Sequence, residues 1–407
     1  MLLDNIVNNK EPSYIYMERY VNDGSPSGFD RVHTSSEKTS PRGSNDSFEL
    51  LIIQFNEDIE IRSIGEETNI IGDRCFFCHP DNIANSVFND IKDLWEVVGS
   101  VRVAPTSSSR TVKVLGKDYF VKLDYLGLLG RFRRNLDYQH LLSAYEVTRD
   151  ICDGIVSGAY NDRFGLLTEN NGRVAYLPLK SGGFYEFGYL IRDAKPFSRN
   201  DNEELFLIPG FSLFSKDMYV PNAEPILLQL YRCSGMDINE FAFNDIIGPI
   251  IDCYFDALTN HGLAMESHSQ NTLFAIDSDC KVKLLVSRDM ESVDKDIPLR
   301  EFLKVKSKIE SQSYKCIRKT DYNYTIKHSF MYDFKLGEYL ITPIIDTFDT
   351  VKGFNREFLI GMIKNKSASY IEKLPQGYFP STWYNYANEI FEGSERPYIS
   401  NENPKYR

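Results

Sequence analysis

Residues 262–292 read GLAMESHSQNTLFAIDSDCKVKLLVSRDMES. Two apolar runs, TLFAID and VKLLVS, flank the turn-forming SDCK, which is the pattern of a β-hairpin. Before the first run, Glu266, His268 and Gln270 alternate, so in a strand they would share one face. Asn271 follows them, and Arg288-Asp289 ends the second run. A carboxylate, an imidazole, an amide and a second carboxylate therefore meet at one end of the hairpin. Glu266 and Asp289 could hold Mg2+ through oxygen. Kinases use a comparable layout, with a catalytic-loop Asn and a later Asp on the metal. Polar groups this dense among apolar strand residues point to a functional site.

Two stretches upstream belong with it. In APTSSSRTV (104–112), hydroxyls cluster beside one Arg on a turn that opens a hairpin. Hydroxyl and backbone N–H donors there can wrap a phosphate while the guanidinium forks onto two of its oxygens. The hairpin itself is TVKVLGKDYFVKLDYL, turning at Gly116-Lys117-Asp118. It carries Lys122 within an apolar strand, and Arg131, Arg133 and Arg134 follow. A strand Lys reaching nucleotide phosphates is familiar from kinases. Taken singly, these residues read equally well as a snorkelling Lys and a solvated basic face.

The remainder predicts a mixed α+β class. FELLIIQF (48–55) reads as a buried strand, and residues 84–98 have helical spacing. Residues 244–262 predict the clearest helix, with Pro249 in its first turn and Gly262 at its end. Residues 354–374 are helical, and residues 22–47 predict a long flexible loop. Adjacent hairpins favour a largely antiparallel sheet over βαβ units.

The 407 residues carry a net charge of −12, which disfavours nucleic acid and membranes as partners. No apolar run approaches the roughly 20 residues that span a bilayer. With no visible signal peptide, a cytoplasmic protein is expected. Seven scattered Cys do not suggest a disulfide framework. RCFFCHPDN (74–82) contains Cys75, Cys78 and His79 in the C-x-x-C-H order of a c-type haem site. Without an export signal or a second half-site, a buried strand with two small apolar Cys is the better reading.

Taken together, these segments resemble the NRPS-independent siderophore synthetases of the IucA/IucC (aerobactin synthetase) type. Ser108, Arg110 and Thr111 match the family's Ser-x-Arg-Thr motif. Lys122-Leu123 and Arg134 match its Lys-Leu strand and the Arg about a dozen residues later. Glu266, His268, Gln270 and Asn271 match Glu-x-His-x-Gln-Asn in full, and Arg288-Asp289 matches its Arg-Asp. Arg192 in YLIRDAKPF lies in another family-like segment, and His79-Pro80 stands where the family has His-Pro-Trp-Gln. The early His-Pro-x-His-Pro-x-x-Lys motif has no counterpart in residues 1–70, and the chain is shorter than usual for the family.

The resemblance implies a cupped-hand fold. Residues 1–100 would form a shortened fingers-like region, 101–300 a palm with the ATP site, and 301–407 a helical thumb. It implies adenylation of a citrate-like carboxylic acid, then condensation with an amine or hydroxyl, with release of AMP and pyrophosphate. Ser108, Arg110, Thr111, Lys122, Arg134, Gln270 and Asn271 would bind ATP. Glu266 and Asp289 would hold Mg2+. His79, Arg134 and His268 would meet the acid substrate, with Arg134 and His268 acting in catalysis. A homodimer is among its implications. The rivals are a kinase-like phosphotransferase and a non-catalytic binding protein on a degenerate synthetase fold.

Overall fold

The computed structural model describes residues 2–22, 37–65, 70–129, 132–199, 204–311, 314–321, 323–386 and 398–407. Two helices, α1 (Leu3–Asn8) and α2 (Lys10–Tyr20), precede the first strand. Within the expected long loop, residues 37–47 form turns; residues 23–36 lie outside the described residues.

Eight strands build the main sheet: β1 (Phe48–Phe55), β2 (Glu60–Ile64), β3 (Cys75–Cys78), β4 (Trp95–Pro105), β5 (Thr111–Val114), β6 (Tyr119–Leu123), β10 (Asn171–Pro178) and β11 (Phe184–Asp193). Their spatial order is β2-β10-β11-β6-β5-β4-β1-β3. Every neighbouring pair in it is antiparallel. Residue 100, drawn above as a region boundary, lies within β4. Between β6 and β10 come a two-stranded ribbon, β7 (Tyr125–Leu129) with β8 (Phe132–Arg134), the helix α4 (Tyr138–Ser157), and β9 (Phe164–Leu166). Helical spacing at 84–98 yields only α3 (Ser86–Asp90), because Trp95 onward is drawn into β4 by pairing with β1.

A second sheet runs β12-β14-β15-β9, with β12 (Phe206–Pro209), β14 (Thr272–Ile276) and β15 (Val282–Ser287) antiparallel and β9 added in parallel. A third joins β13 (Leu263–Ala264), β16 (Asp294–Asp296) and β17 (Cys316–Ile317). The helices α5 (Ile226–Ser234), α6 (Ile238–Phe241) and α7 (Gly248–His261) sit between the second sheet's strands in sequence. A π-helical stretch, Ala242–Ile247, runs without a break from α6 into α7, so the helix starts earlier than its spacing suggested. Pro249 therefore follows a wide turn in place of a free N-terminus. Residues 356–371 form the helix expected near the C-terminus, capped by the Asn355 side chain.

Apolar side chains explain the assembly. Phe55, Phe76 and Phe187 pack against one another on one face of the main sheet. Leu141, Val147 and Ile151 of α4 join Ile251, Phe255 and Leu258 of α7 in the largest core. Cys75 and Cys78 are both buried in β3, and a separation of three places them on opposite faces of the strand. They cannot converge on a single ligand.

Candidate active site

The phosphate-loop candidate is a tight turn between β4 and β5. Ser109 N–H bonds to the Thr106 carbonyl at 3.1 Å and Arg110 N–H to the Ser108 carbonyl at 2.8 Å. Ser108 Oγ accepts from Thr111 N–H at 3.0 Å. This winding puts Ser109 at φ +61°, the left-handed region that non-glycine residues rarely occupy. Its Oγ is buried with no hydrogen-bond partner among the described residues. Strand pairing sets Thr111 opposite Lys122 and Lys122 opposite Leu190, so loop and lysine lie on adjacent strands.

Lys122 is only 2% exposed and ends between two carboxylates, those of Asp289 and Glu291, the latter at 2.5 Å. Arg110 also reaches Glu291, at 3.2 Å. Arg192 joins Asp289 at 3.0 Å to the fully buried Glu169 at 2.5 Å. Asp289 is itself in the left-handed region, at φ +73°, where the chain leaves β15 for the one-turn helix Met290–Ser292. That turn swings Glu291 back beside Asp289.

Burial raises both carboxyl pKa values, but the cations outweigh it. Lys122 and Arg192 hold Asp289 far below the usual range, and Lys122 with Arg110 holds Glu291 at about 2. Glu291 Oε1 accepts from Tyr314 Oη at 3.0 Å, and the His140 ring packs against Tyr314 at a 44° tilt with ring centroids 4.0 Å apart. Asp137, the N-cap of α4, holds His140 Nδ1 at 2.6 Å.

The chain superimposes on the aerobactin synthetase IucC from a hypervirulent pathotype of Klebsiella pneumoniae with a TM-score of 0.71 at 12% identity, covering 100% of this chain and 78% of that one. The fold is that of the siderophore synthetases. ATP-bound IucA from the same pathotype gives a TM-score of 0.65 at 13% identity, over 94% of this chain and 76% of that one. The petrobactin biosynthesis protein AsbB from Bacillus anthracis str. Sterne gives 0.65 at 15% identity, over 88% and 68%. No protein-family model and no curated protein matches the sequence.

On this synthetase fold, Ser108, Arg110, Thr111, Lys122 and Asp289 come together as the sequence predicts. Arg134 is in β8, paired with Tyr125, and its backbone carbonyl accepts from Arg110 at 3.2 Å. Its guanidinium pKa is lowered by desolvation and by Arg110, while Glu291, Asp289 and Glu266 oppose the shift. The rest of the basic cluster cannot be placed: Arg131 and the Arg133 side chain lie outside the described residues.

Residues 265–271 are not the strand their alternation suggested. The chain turns instead: His268 N–H bonds to the Glu266 carbonyl at 2.9 Å, and Asn271 N–H to the His268 carbonyl at 3.0 Å. The period of two is a property of extended chain, and the closing of this turn overrides it. Glu266 pairs with Lys335 at 2.7 Å on a π-helical segment, Phe330–Ile341. Burial raises its pKa, yet Lys335, His268 and Lys315 bring it to about 2. His268 Nδ1 accepts from the N–H groups of Gln270 and Asn271 at 3.2 and 3.3 Å. Burial lowers its pKa to about 4, so the ring is neutral at pH 7 and carries its proton on Nε2. Asn271 Nδ2 donates to Ser292 Oγ at 3.3 Å.

His79 makes its described contacts elsewhere, with Phe48, Asp81 and Tyr125. It is fully buried between the rings of Phe48 and Tyr125, and its Nδ1 accepts from Asp81 N–H at 3.2 Å. Sequence reading missed Glu169, Glu291, His140 and Tyr314. Only Glu291 left a signal: it stands two residues after Asp289, a D-x-E spacing.

Among the described residues, no three His, Cys, Asp or Glu side chains stand ready-made as a metal set. Asp289 and Glu291 nonetheless share one lysine, and both are held anionic. Mg2+ is usually held by one or two carboxylates together with substrate phosphates, and this donor set suits that mode.

Proposed function

We propose that the protein is an ATP-dependent synthetase of siderophore type. It would adenylate a citrate-like carboxylic acid and condense it with an amine or hydroxyl. The observation that carries this reading is the meeting of the Ser108–Thr111 turn, Lys122 and the Asp289/Glu291 pair on a fold shared with an ATP-bound synthetase.

In the free protein, the site cations are neutralised internally. ATP phosphates would take over Arg110 and Lys122 from Glu291, leaving Asp289 and Glu291 to turn to Mg2+; Glu266, the other carboxylate expected from the sequence, would first have to leave Lys335. Bound Mg2+ would supply neutralisation of the phosphate charge. Ser108, Ser109 and Thr111 would donate to phosphate oxygens, each charge-assisted bond contributing about 1.5–3 kcal/mol. Gln270 and Asn271 would orient the nucleotide.

The acid's carboxylate attacks the α-phosphorus, and pyrophosphate leaves with the electron pair. Arg134 would lie between the two anions and offset their repulsion. The amine or hydroxyl then attacks the acyl carbon, loses a proton, and AMP leaves. Because His268 Nδ1 already accepts two N–H bonds, its Nε2–H is a donor. That suits it to orienting the acyl oxygen better than to taking up the nucleophile's proton.

The test is pyrophosphate release from ATP and Mg2+ over a panel of polycarboxylic acids, with and without amines. Release with one acid supports the reading and names the acid. ADP in place of AMP overturns it in favour of a phosphotransferase. Arg134→Ala is expected to slow adenylation by about 100-fold or more, as loss of a charge-stabilising donor does elsewhere. Adenylation at the wild-type rate in that variant would remove the bridging role.

A further inference from the structure

We propose that Glu18, on the N-terminal helix α2, is a positioning residue for the nucleotide, holding the phosphate loop in register with the strand end that carries Asp289. The inference rests on the ATP reading above.

Glu18 is 0% exposed and its four acceptor positions are filled. Oε1 accepts from Tyr14 Oη at 2.9 Å and from Arg288 at 2.5 Å. Oε2 accepts from Ser107 N–H at 3.1 Å and from Ser107 Oγ at 2.6 Å. Tyr14 lies one turn earlier on the same face of α2 and receives a second Arg288 bond at 2.8 Å. Arg288 Nε in turn donates to the Gln270 carbonyl at 2.7 Å, and Gln270 Nε2 donates to Ser107 Oγ at 3.4 Å.

Two separate segments thus close on one carboxylate, the loop before Ser108 and the residue before Asp289, and the turn holding Gln270 and Asn271 is tied to both through Arg288 and Ser107. None of Glu18, Ser107 or Arg288 belongs to the set assigned above to phosphate, metal or acid. Ser107 directly precedes Ser108 and Arg288 directly precedes Asp289, so two of the three adjoin that set in the chain.

A buried ion pair is a poor way to gain stability alone, since well-packed apolar groups often do as well. What this one supplies is geometry. Burial raises the Glu18 pKa, but Arg288 and Ser107 hold it below the usual carboxylate range, so the charge that orients the loop persists at neutral pH. Without it, Ser107 loses both bonds, and the turn presenting Ser108, Ser109 and Arg110 loses its anchor.

The test compares the wild-type chain with Ser107→Ala, Glu18→Gln and the double variant, by ATP titration calorimetry and steady-state kinetics. Glu18→Gln is expected to weaken ATP binding and raise KM for ATP by about 10-fold or more, with kcat within about twofold. Ser107→Ala, which leaves the Arg288 pair intact, is expected to weaken ATP binding about 3- to 10-fold. The double variant should bind ATP no worse than Glu18→Gln, since both changes break one clamp.

Wild-type ATP affinity in Ser107→Ala overturns the proposal, including the case in which Glu18→Gln fails to fold. A fall in kcat at unchanged ATP affinity also overturns it. No ATP binding by the wild-type chain overturns the ATP reading itself, a result distinct from wild-type binding in the variants.

Discussion

Lys122 shows how much one side chain can carry. Its ammonium lies between the buried Glu291 carboxylate and the half-buried Asp289 carboxylate, so replacing it by Met removes the cation they share and leaves only Arg110 and Arg192 beside them. The expected result is a loss of about 3–5 kcal/mol in urea unfolding, the usual outcome of removing one partner from a buried pair. ATP binding should fall in parallel, read by calorimetry. Glu291, held at about 2 by Lys122 and Arg110, should titrate at higher pH in this variant.

His79 makes an independent residue-scale prediction. Burial lowers its pKa to about 4, with Asp81 opposing the shift. As pH falls below about 6.5, the unfolded chain takes up a proton that the folded ring refuses. Stability should therefore be complete above neutral pH and fall by up to about 1.4 kcal/mol per unit down to about pH 4. Denaturation at pH 7.5 and 5.5 should show this slope added to that of the other buried histidines, His268 and His328, and His79→Asn should remove only the His79 share.

At the element scale, Gly262 closes α7 and opens the functional stretch. It adopts φ +61°, and a Cβ there would lie 2.6 Å from Arg300 Cγ and 3.1 Å from Arg300 N. Gly262→Ala should cost at least about 1 kcal/mol from backbone conformation alone, more with the crowding. Chemical denaturation measures the loss. Because Glu266 follows four residues later, ATP affinity should also drop, whereas a stability loss with unchanged affinity would show that the turn at 265–271 is set independently of the helix end.

The β14–β15 hairpin behaves differently, because its turn is self-contained: Asp277 Oδ1 accepts from the N–H groups of Asp279 and Lys281, both at 2.9 Å. That local chemistry is why the hairpin was legible in the sequence. The α7 helix was legible for a similar reason, a stripe of Ile250, Ile251, Tyr254, Phe255 and Leu258 closed by a left-handed glycine. Residues 84–98 misled because a helical spacing of apolar residues competed with a long-range strand pairing, and the pairing won.

For the whole molecule, the site joins an N-terminal helix, two sheets and the start of α4. ATP with Mg2+ should therefore raise the melting temperature of the entire chain. A ligand at 100 times its Kd adds about 2.7 kcal/mol if it binds only the folded state. Differential scanning calorimetry would show one shifted transition, and a shift confined to part of the unfolding profile would mean that the segments are not coupled through the site.

The fold class, the two hairpins, the α7 helix and the candidate-site residues Ser108, Arg110, Lys122 and Asp289 could be picked out from the sequence alone. Each depends on periodicity, turn chemistry or a short motif, all of which act within a few residues. Glu18, Glu169, Glu291 and His140 could not be read in this way. Isolated carboxylates and imidazoles look alike in a sequence whether solvated or buried. What gives Glu18 and Glu291 meaning is a cation brought to each over a long chain separation, 270 residues from Glu18 to Arg288 and 181 from Arg110 to Glu291, while Glu169 meets Arg192 and His140 meets Tyr314 only in the fold. Only the packing of α2, β5, β6 and β15 determines which charges are desolvated together, and desolvation is what turns ordinary ionic side chains into a site.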